Sequence, residues 1–153
     1  MTTPAVQAAQ AAGLAHTVIR HEPAASLAEA ARLRGVTPAD IVKTIVVRRG
    51  PDDFLFVLVP GDRTISWPKL RALLGVSRIS MPDAAVAREV TGYERGTITP
   101  FGSIRPWPVI ADVRIAGRRI SLGAGQSGVA IGAAADDVIE VLGATVADVS
   151  EAA

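Results

Sequence analysis

The chain has 153 residues, of which 49% are hydrophobic and 20% charged, so it can bury a core and is not expected to be disordered. Its 16 basic and 15 acidic residues nearly balance, so any contact with nucleic acid must come from a local patch. Because cysteine is absent, disulfides, thiolate metal sites and cysteine nucleophiles are excluded.

The first residues contain no basic segment followed by an apolar run, so we expect no signal peptide. Apolar stretches such as 54–59 are far shorter than the ~20 residues that a membrane helix needs. These features predict a protein of the cytoplasm with no membrane partner.

The first part of the chain predicts short helices around one strand. In chain order these are a helix at 6–12, a strand at 16–20, a helix at 27–33 and a helical turn beginning at Thr37-Pro38. Gly13 and Gly35 end the two helices. Ser26 and Glu29 have the spacing of a capping box at the start of the second helix.

The remainder predicts strands interleaved with helices. Strands 44–48 and 54–59 flank the turn signal at 50–53, and helices 66–74 and 82–90 follow. After the Gly- and Pro-rich stretch 91–108, strands 109–115 and 118–122 are expected to form a second hairpin across Ala116-Gly117. A strand at 129–131, a helix at 136–142 and a strand at 145–149 complete the chain.

This order of elements predicts an α/β fold. We expect a single domain over residues 1–153, with a mixed, largely antiparallel, curved sheet of about seven strands and short surrounding helices. A segment as long as 91–108 without regular structure is more often functional than ornamental in a domain of this size.

The glycine cluster 123–128 matches the dinucleotide fingerprint G-x-G-x-x-G, and Asp148 has the expected spacing from it. However, residues 129–132 form a strand-like run where that fingerprint requires a helix, so we expect a tight turn and no cofactor. His16 and His21 are poorly spaced for a shared ion, and no other ligand cluster occurs, so no metal is expected.

Two features stand out chemically. Lys43 is one of only two lysines and lies in an apolar strand, either because its amine reaches solvent or because its chemistry is required. The segment 91–102 contains three glycines and a proline, and such a loop can direct several N–H groups at one carbonyl. It could equally be a purely structural Ω-loop.

Taken together and in order, these segments resemble the bacterial YbaK/EbsC family, which includes the editing domain inserted into bacterial prolyl-tRNA synthetase. The matching residues are His21-Glu22-Pro23, Val42-Lys43-Thr44, Met81-Pro82-Asp83, Thr91-Gly92-Tyr93, Gly96-x-x-x-Pro100 with Gly102, the Gly125–Gly128 turn and Asp137-Val138.

The resemblance implies the site residues. Lys43 would hold the aminoacyl-adenosine end, and the loop of Gly96, Thr97, Ile98, Thr99 and Pro100 would position the ester carbonyl. The remaining members, expected to bind substrate or shape the entry to the loop, are Thr91, Gly92, Tyr93, Gly102, Gly125, Gly128 and Asp137.

The resemblance also implies an activity, namely hydrolysis of mischarged aminoacyl-tRNA by a free-standing deacylase without a metal or cofactor. Cys- or Ala-tRNA(Pro) is the first substrate to expect, and a tRNA synthetase is a possible partner.

The chain departs from the family at two places. Ile19 stands where some cysteine-specific members have tyrosine, and Gln126-Ser127 stands where relatives often have basic residues. The alternative is a binding module that holds a nucleotide or a tRNA 3′ end without turnover.

Overall fold

A computed structural model describes residues 2–153 of the protein and contains a seven-stranded mixed sheet. The strand order is β1-β7-β6-β2-β3-β5-β8, and β4 pairs with β9 in a separate two-stranded sheet. The strands are β1 Thr17–Arg20, β2 Ile41–Gly50, β3 Asp53–Pro60, β4 Arg63–Ile65, β5 Val109–Asp112, β6 Arg119–Gly123, β7 Val129–Ala134, β8 Thr145–Ala147 and β9 Ser150–Ala152.

Among residues 2–153, five α-helices of eight residues each surround the sheet, and two single 3₁₀ turns occur at Pro38–Asp40 and Val113–Ile115. The helices are α1 Pro4–Ala11, α2 Leu27–Arg34, α3 Trp67–Leu74, α4 Ala84–Thr91 and α5 Ala135–Leu142. No helix among residues 2–153 has the length and apolarity to cross a membrane.

The predicted hairpin of β2 and β3 is confirmed and forms the longest ladder of the sheet, from Val42 opposite Pro60 to Gly50 opposite Asp53. Asp52 supplies the turn with a positive φ of 51°, which aspartate tolerates better than most residues. A register shift between Arg48 and Gly50 marks a bulge at the turn.

Hydrophobic cores cover both faces of this hairpin because side chains alternate along a strand. Val46, Phe56 and Leu58 pack in a larger core with residues of α1, α4 and α5. Val47 and Val57 belong to a second core, which includes Ile65 of β4 and Leu70 of α3. The unbroken apolar run of β3 follows from this double coverage.

The helix ends largely follow the predicted signals. The Ser26 hydroxyl accepts a hydrogen bond from the Glu29 N–H at 3.1 Å, and Gly35 ends α2 in the left-handed conformation. In a capping box the Glu29 carboxylate would accept a hydrogen bond from the N–H of the N-cap residue, Ser26. It accepts instead from the N–H of Ala25, one residue earlier, at 3.3 Å. Most other predicted elements occur with ends displaced by at most three residues.

The predicted second hairpin, 109–115 with 118–122, is wrong. Strand β5 pairs in parallel with β3 and β8, whereas β6 lies between β2 and β7. A 3₁₀ turn at Val113–Ile115 separates them. The predicted last strand 145–149 ends at Ala147 as β8, because Val149 turns into the second core. The next strand, β9, begins at Ser150 and pairs with the unpredicted β4.

Candidate functional site

The candidate site lies where two parallel strands separate. β2 and β6 pair only at Ile41 with Ser121 and Val42 with Leu122, after which the strands diverge. The loop 96–98 lies against the turn that follows β6, since the Thr97 carbonyl accepts from the Gly125 N–H at 3.0 Å. The crevice therefore opens at the carboxyl end of β6, beside residues 43–46 in the first half of β2.

In the loop 96–98 the middle backbone N–H is hydrogen-bonded, and the N–H groups on either side of it are available to a ligand. The Thr97 N–H donates to the Glu94 carbonyl at 2.9 Å, and the Thr97 hydroxyl donates to the same oxygen at 2.7 Å. By contrast, the Gly96 and Ile98 N–H groups have no acceptor within residues 2–153. Gly96 has a φ of +91° and open space where a Cβ would project. Two such amides can stabilise an oxyanion.

Lys43 is the third residue of β2 and is half-buried. Its Nζ donates to the Arg63 carbonyl at 2.5 Å instead of extending freely into solvent. Burial lowers the pKa of Lys43 below its usual value, and the nearby Asp62 carboxylate acts in the opposite direction. The amine is therefore held in one position, as a binding or orienting group must be.

Two cavities adjoin at this point, and Lys43, Thr44, Gly96 and Ile98 line both of them. The larger cavity has a volume of about 370 Å³, and its other lining residues are Ile45, Val46, Met81, Pro82, Ala84, Ala87 and Arg95. The smaller has a volume of about 170 Å³ and adds Arg34, Ile41, Val42 and Gly123. Together they offer an apolar chamber and a small polar chamber separated by the lysine and the loop.

Three polar lining residues were not among the predicted site residues. Arg34 donates to His21 Nε2 at 3.2 Å and lies 3.5 Å from the Ser121 hydroxyl, and burial lowers the pKa of Arg34. Arg95 lines the larger cavity, and the buried Thr44 hydroxyl has no hydrogen-bond partner in the described chain. In a sequence so rich in arginine, neither Arg34 nor Arg95 carries a distinguishing signal.

The predicted residues around Tyr93 support the loop rather than line the cavities. The buried Tyr93 hydroxyl donates to the Phe101 carbonyl at 2.7 Å, and burial raises the pKa of Tyr93 to about 12. A Cβ on Gly125 would lie 2.4 Å from the Tyr93 ring, and one on Gly102 would lie 2.6 Å from the hydroxyl oxygen. Both glycines are required by this close packing.

Four more predicted residues have structural roles at the two ends of the loop. Thr91 is fully buried, and its hydroxyl donates to the Ala87 carbonyl at 2.7 Å while accepting from the Tyr93 N–H at 3.1 Å. Gly92 ends α4 with a φ of 84°. Thr99 is fully buried, and the Pro100 carbonyl accepts from the Ser103 N–H at 3.4 Å. These residues fix both ends of the loop.

The structure does not bring Gly128 or Asp137 to the cavities around Lys43. Gly128 holds strand β1, because its carbonyl accepts from the His21 N–H at 2.8 Å and a Cβ would lie 2.3 Å from the His21 oxygen. Asp137 is exposed in the first turn of α5, and it lines neither cavity that contains Lys43. The Gly125–Gly128 segment is the turn of the β6–β7 hairpin, as the sequence predicts.

Cations, free amides and an apolar chamber in one crevice define a site suited to an ester or acyl group beside a polyanion. Residues 21–141 match the family model of the aminoacyl-tRNA editing domain, so the chain belongs to that family.

Similar proteins agree with this assignment. The chain is 39% identical over 80 residues to the proline–tRNA ligase of Heliobacterium modesticaldum, a match covering 52% of the chain and 14% of the ligase. That of Thermosipho africanus is 40% identical over 63 residues, covering 41% and 11%. The matched part of the chain thus spans about one seventh or less of these curated relatives.

Two solved structures cover nearly the whole chain. The hypothetical protein APE2540 superposes with a TM-score of 0.85 at 30% identity, covering 94% of this chain and 96% of its own. A candidate trans-editing enzyme for prolyl tRNA synthetase gives 0.86 at 26% identity, covering 95% and 93%. Both relatives share the mixed α/β fold described above.

Proposed function

We propose that the protein, acting as one editing domain over residues 1–153, hydrolyses the ester of a mischarged aminoacyl-tRNA in the crevice around Lys43. The observation that carries this proposal is the convergence of a held lysine and two unpartnered amides, those of Gly96 and Ile98, on the same pair of cavities. The family match supports the substrate class.

In the proposed reaction, water attacks the carbonyl carbon of the aminoacyl ester. The bond from that carbon to the ribose oxygen breaks, the ribose oxygen takes a proton, and the amino acid leaves as its acid. The amides of Gly96 and Ile98 stabilise the negative charge that develops on the carbonyl oxygen. Lys43 holds the adenosine end, so that attack is within a fixed geometry.

The lining of the cavities favours a mechanism in which the substrate supplies part of the chemistry. Among residues 2–153, the side chains lining these two cavities are basic or apolar apart from the Thr44 hydroxyl. An aminoacyl ester is already activated, and a hydroxyl of its own ribose can direct the water. We assign Thr97, Thr99 and Pro100, with Thr91, Gly92, Tyr93, Gly102 and Gly125, to positioning the loop, and we give Gly128 and Asp137 no direct contact with the ester.

The similarity to proline–tRNA ligases supports alanine or cysteine on tRNA(Pro) as the first substrates to test. Editing in a second site is useful because one hydrophobic pocket separates similar amino acids by only ~1–3 kcal/mol. We further propose that the protein acts in the cytoplasm, where tRNAs are charged, and that a prolyl-tRNA synthetase is the partner to test for recruitment.

The second candidate is a module that binds a tRNA 3′ end without turnover. The favouring observation is that, in the described chain, the cavity lining holds neither a carboxylate nor an imidazole. A panel of tRNAs mischarged with different amino acids separates the two functions. Release of amino acid with repeated turnover supports the enzyme, whereas saturable binding of a non-hydrolysable aminoacyl-adenosine analogue with every ester left intact would establish the binding module.

A further inference from the structure

A second concave surface lies at the far end of β2 and has a volume of about 450 Å³. We call it the arginine groove. Its lining residues are Arg48, Arg49, Gly50, Pro51, Arg71, Ser77, Arg78, Ile79 and Ser80. Four arginines and two serines here stand out in a chain whose net charge is only +1. The groove therefore concentrates positive charge that the composition as a whole does not show.

Three of the four guanidinium groups have no ion-pair partner in residues 2–153, namely those of Arg48, Arg71 and Arg78. Arg49 is bound by both carboxylate oxygens of Asp53, at 3.0 and 3.2 Å. Arg48 donates through Nε to the Gly50 carbonyl at 3.3 Å, which leaves its terminal nitrogens available. The planar fork of arginine suits phosphate oxygens.

The arginine groove and the larger cavity around Lys43 are lined by neighbouring stretches of the same two chain segments, along β2 and along residues 77–84. Ser80 and Arg48 exchange two backbone hydrogen bonds, at 2.7 and 3.0 Å. The residues that follow Ser80, Met81 and Pro82, line that cavity. Because a strand rises ~3.3 Å per residue, the five residues from Lys43 to Arg48 place the groove about 17 Å from the lysine.

We propose that the arginine groove binds the phosphate backbone of the RNA strand that leads away from the esterified 3′ adenosine. With ~3.4 Å of rise per nucleotide in a stacked strand, a span of about 17 Å corresponds to about five nucleotides. The groove thus meets the acceptor end of the tRNA beyond its single-stranded terminus. This inference rests on the proposed function, which puts that terminus at Lys43.

The test measures binding of an uncharged acceptor-stem minihelix RNA as a function of salt concentration. Replacing two phosphate-binding arginines, in Arg71→Ala/Arg78→Ala, should reduce the slope of log affinity against log salt by about 1.5 to 2. Arg32→Ala, which removes an exposed charge from α2, is the matched control and should leave binding by the groove intact. An unchanged slope in the double variant, or an equal loss in the control, would overturn the assignment.

A second measurement separates this inference from the proposed function. On a small aminoacyl-adenosine ester, the double variant should hydrolyse as fast as the wild type, whereas on full aminoacyl-tRNA its kcat/KM should fall about tenfold. Equal losses on both substrates would contradict a role limited to the RNA backbone. If no ester is hydrolysed by the wild type, the proposed function fails, while the salt slope still decides whether the groove binds RNA.

Discussion

The packing of Gly125 against Tyr93 gives a quantitative test of how the loop is supported. In Gly125→Ala, the new methyl group would lie 2.4 Å from the Tyr93 ring, and the residue would keep a φ of +82°. A left-handed alanine costs about 1–2 kcal/mol, and overpacking adds about 1–3 kcal/mol. We expect the free energy of unfolding to fall by about 2–5 kcal/mol in total.

Gly117→Ala is the matched control, because Gly117 has a φ of +76° and nothing within 4 Å of its Cβ position. Only the backbone cost of about 1–2 kcal/mol should remain there. Urea unfolding with an unchanged m-value measures both variants. The cost of Gly125→Ala should also shrink in a Tyr93→Leu background, since the two changes then couple. Equal destabilisation by the two alanines would refute the steric reasoning.

The remaining predictions concern the amide pair, the lysine and the tyrosine. Gly96→Ala should fold with a backbone cost of about 1–2 kcal/mol, because its φ is +91° but open space surrounds its Cβ position. Its methyl group should lower deacylation kcat/KM by narrowing the cavities, and wild-type activity would contradict the assigned position of the ester. If Lys43 acts as a cation, activity should fall as the pH rises through its lowered pKa. Asp62→Asn should move that fall to lower pH, because Asp62 raises the pKa, and an unmoved pH profile would argue against a charged Lys43. Burial raises the pKa of Tyr93 from 10.0 to about 12, so the unfolded chain ionises first and stability should decline as the pH rises through this range. In Tyr93→Phe, the free energy of unfolding measured with urea should fall less steeply with pH. An identical fall in both proteins would show that the Tyr93 hydroxyl is exposed to solvent and not buried.

The sequence predicts elements well where local signals agree. The β2–β3 hairpin has a strong turn between two β-branched runs, and the capped helix α2 has Ser26 and Gly35 at its ends. The false hairpin at 109–122 shows the limit of such signals. Val109–Asp112 is buried along its whole length, and a short apolar run does not reveal whether its neighbour is parallel and distant or antiparallel and adjacent.

The candidate site could be anticipated only in part. Local sequence marks Lys43 and the Gly96–Pro100 loop as unusual, and the ordered resemblance joins them. Their proximity depends on where β2 and β6 separate. These two strands are distant in the sequence, so local patterns do not show how they pair. Arg34 reaches the smaller cavity from the last turn of α2, where a basic residue is ordinary. Asp137 was expected near the pocket but faces solvent on α5.

The central claim, that Lys43 is the lysine of an ester-hydrolysing site, is tested most directly by comparing the two lysines of the chain. Lys69 is the control, because its ammonium is bound by Asp148 at 3.0 Å and it lines neither of the two cavities that contain Lys43. The measurement is the single-turnover release of amino acid from mischarged tRNA(Pro). We predict that Lys43→Ala lowers the rate by about a hundredfold or more, while Lys69→Ala retains it. Equal rates in the two variants would contradict the account.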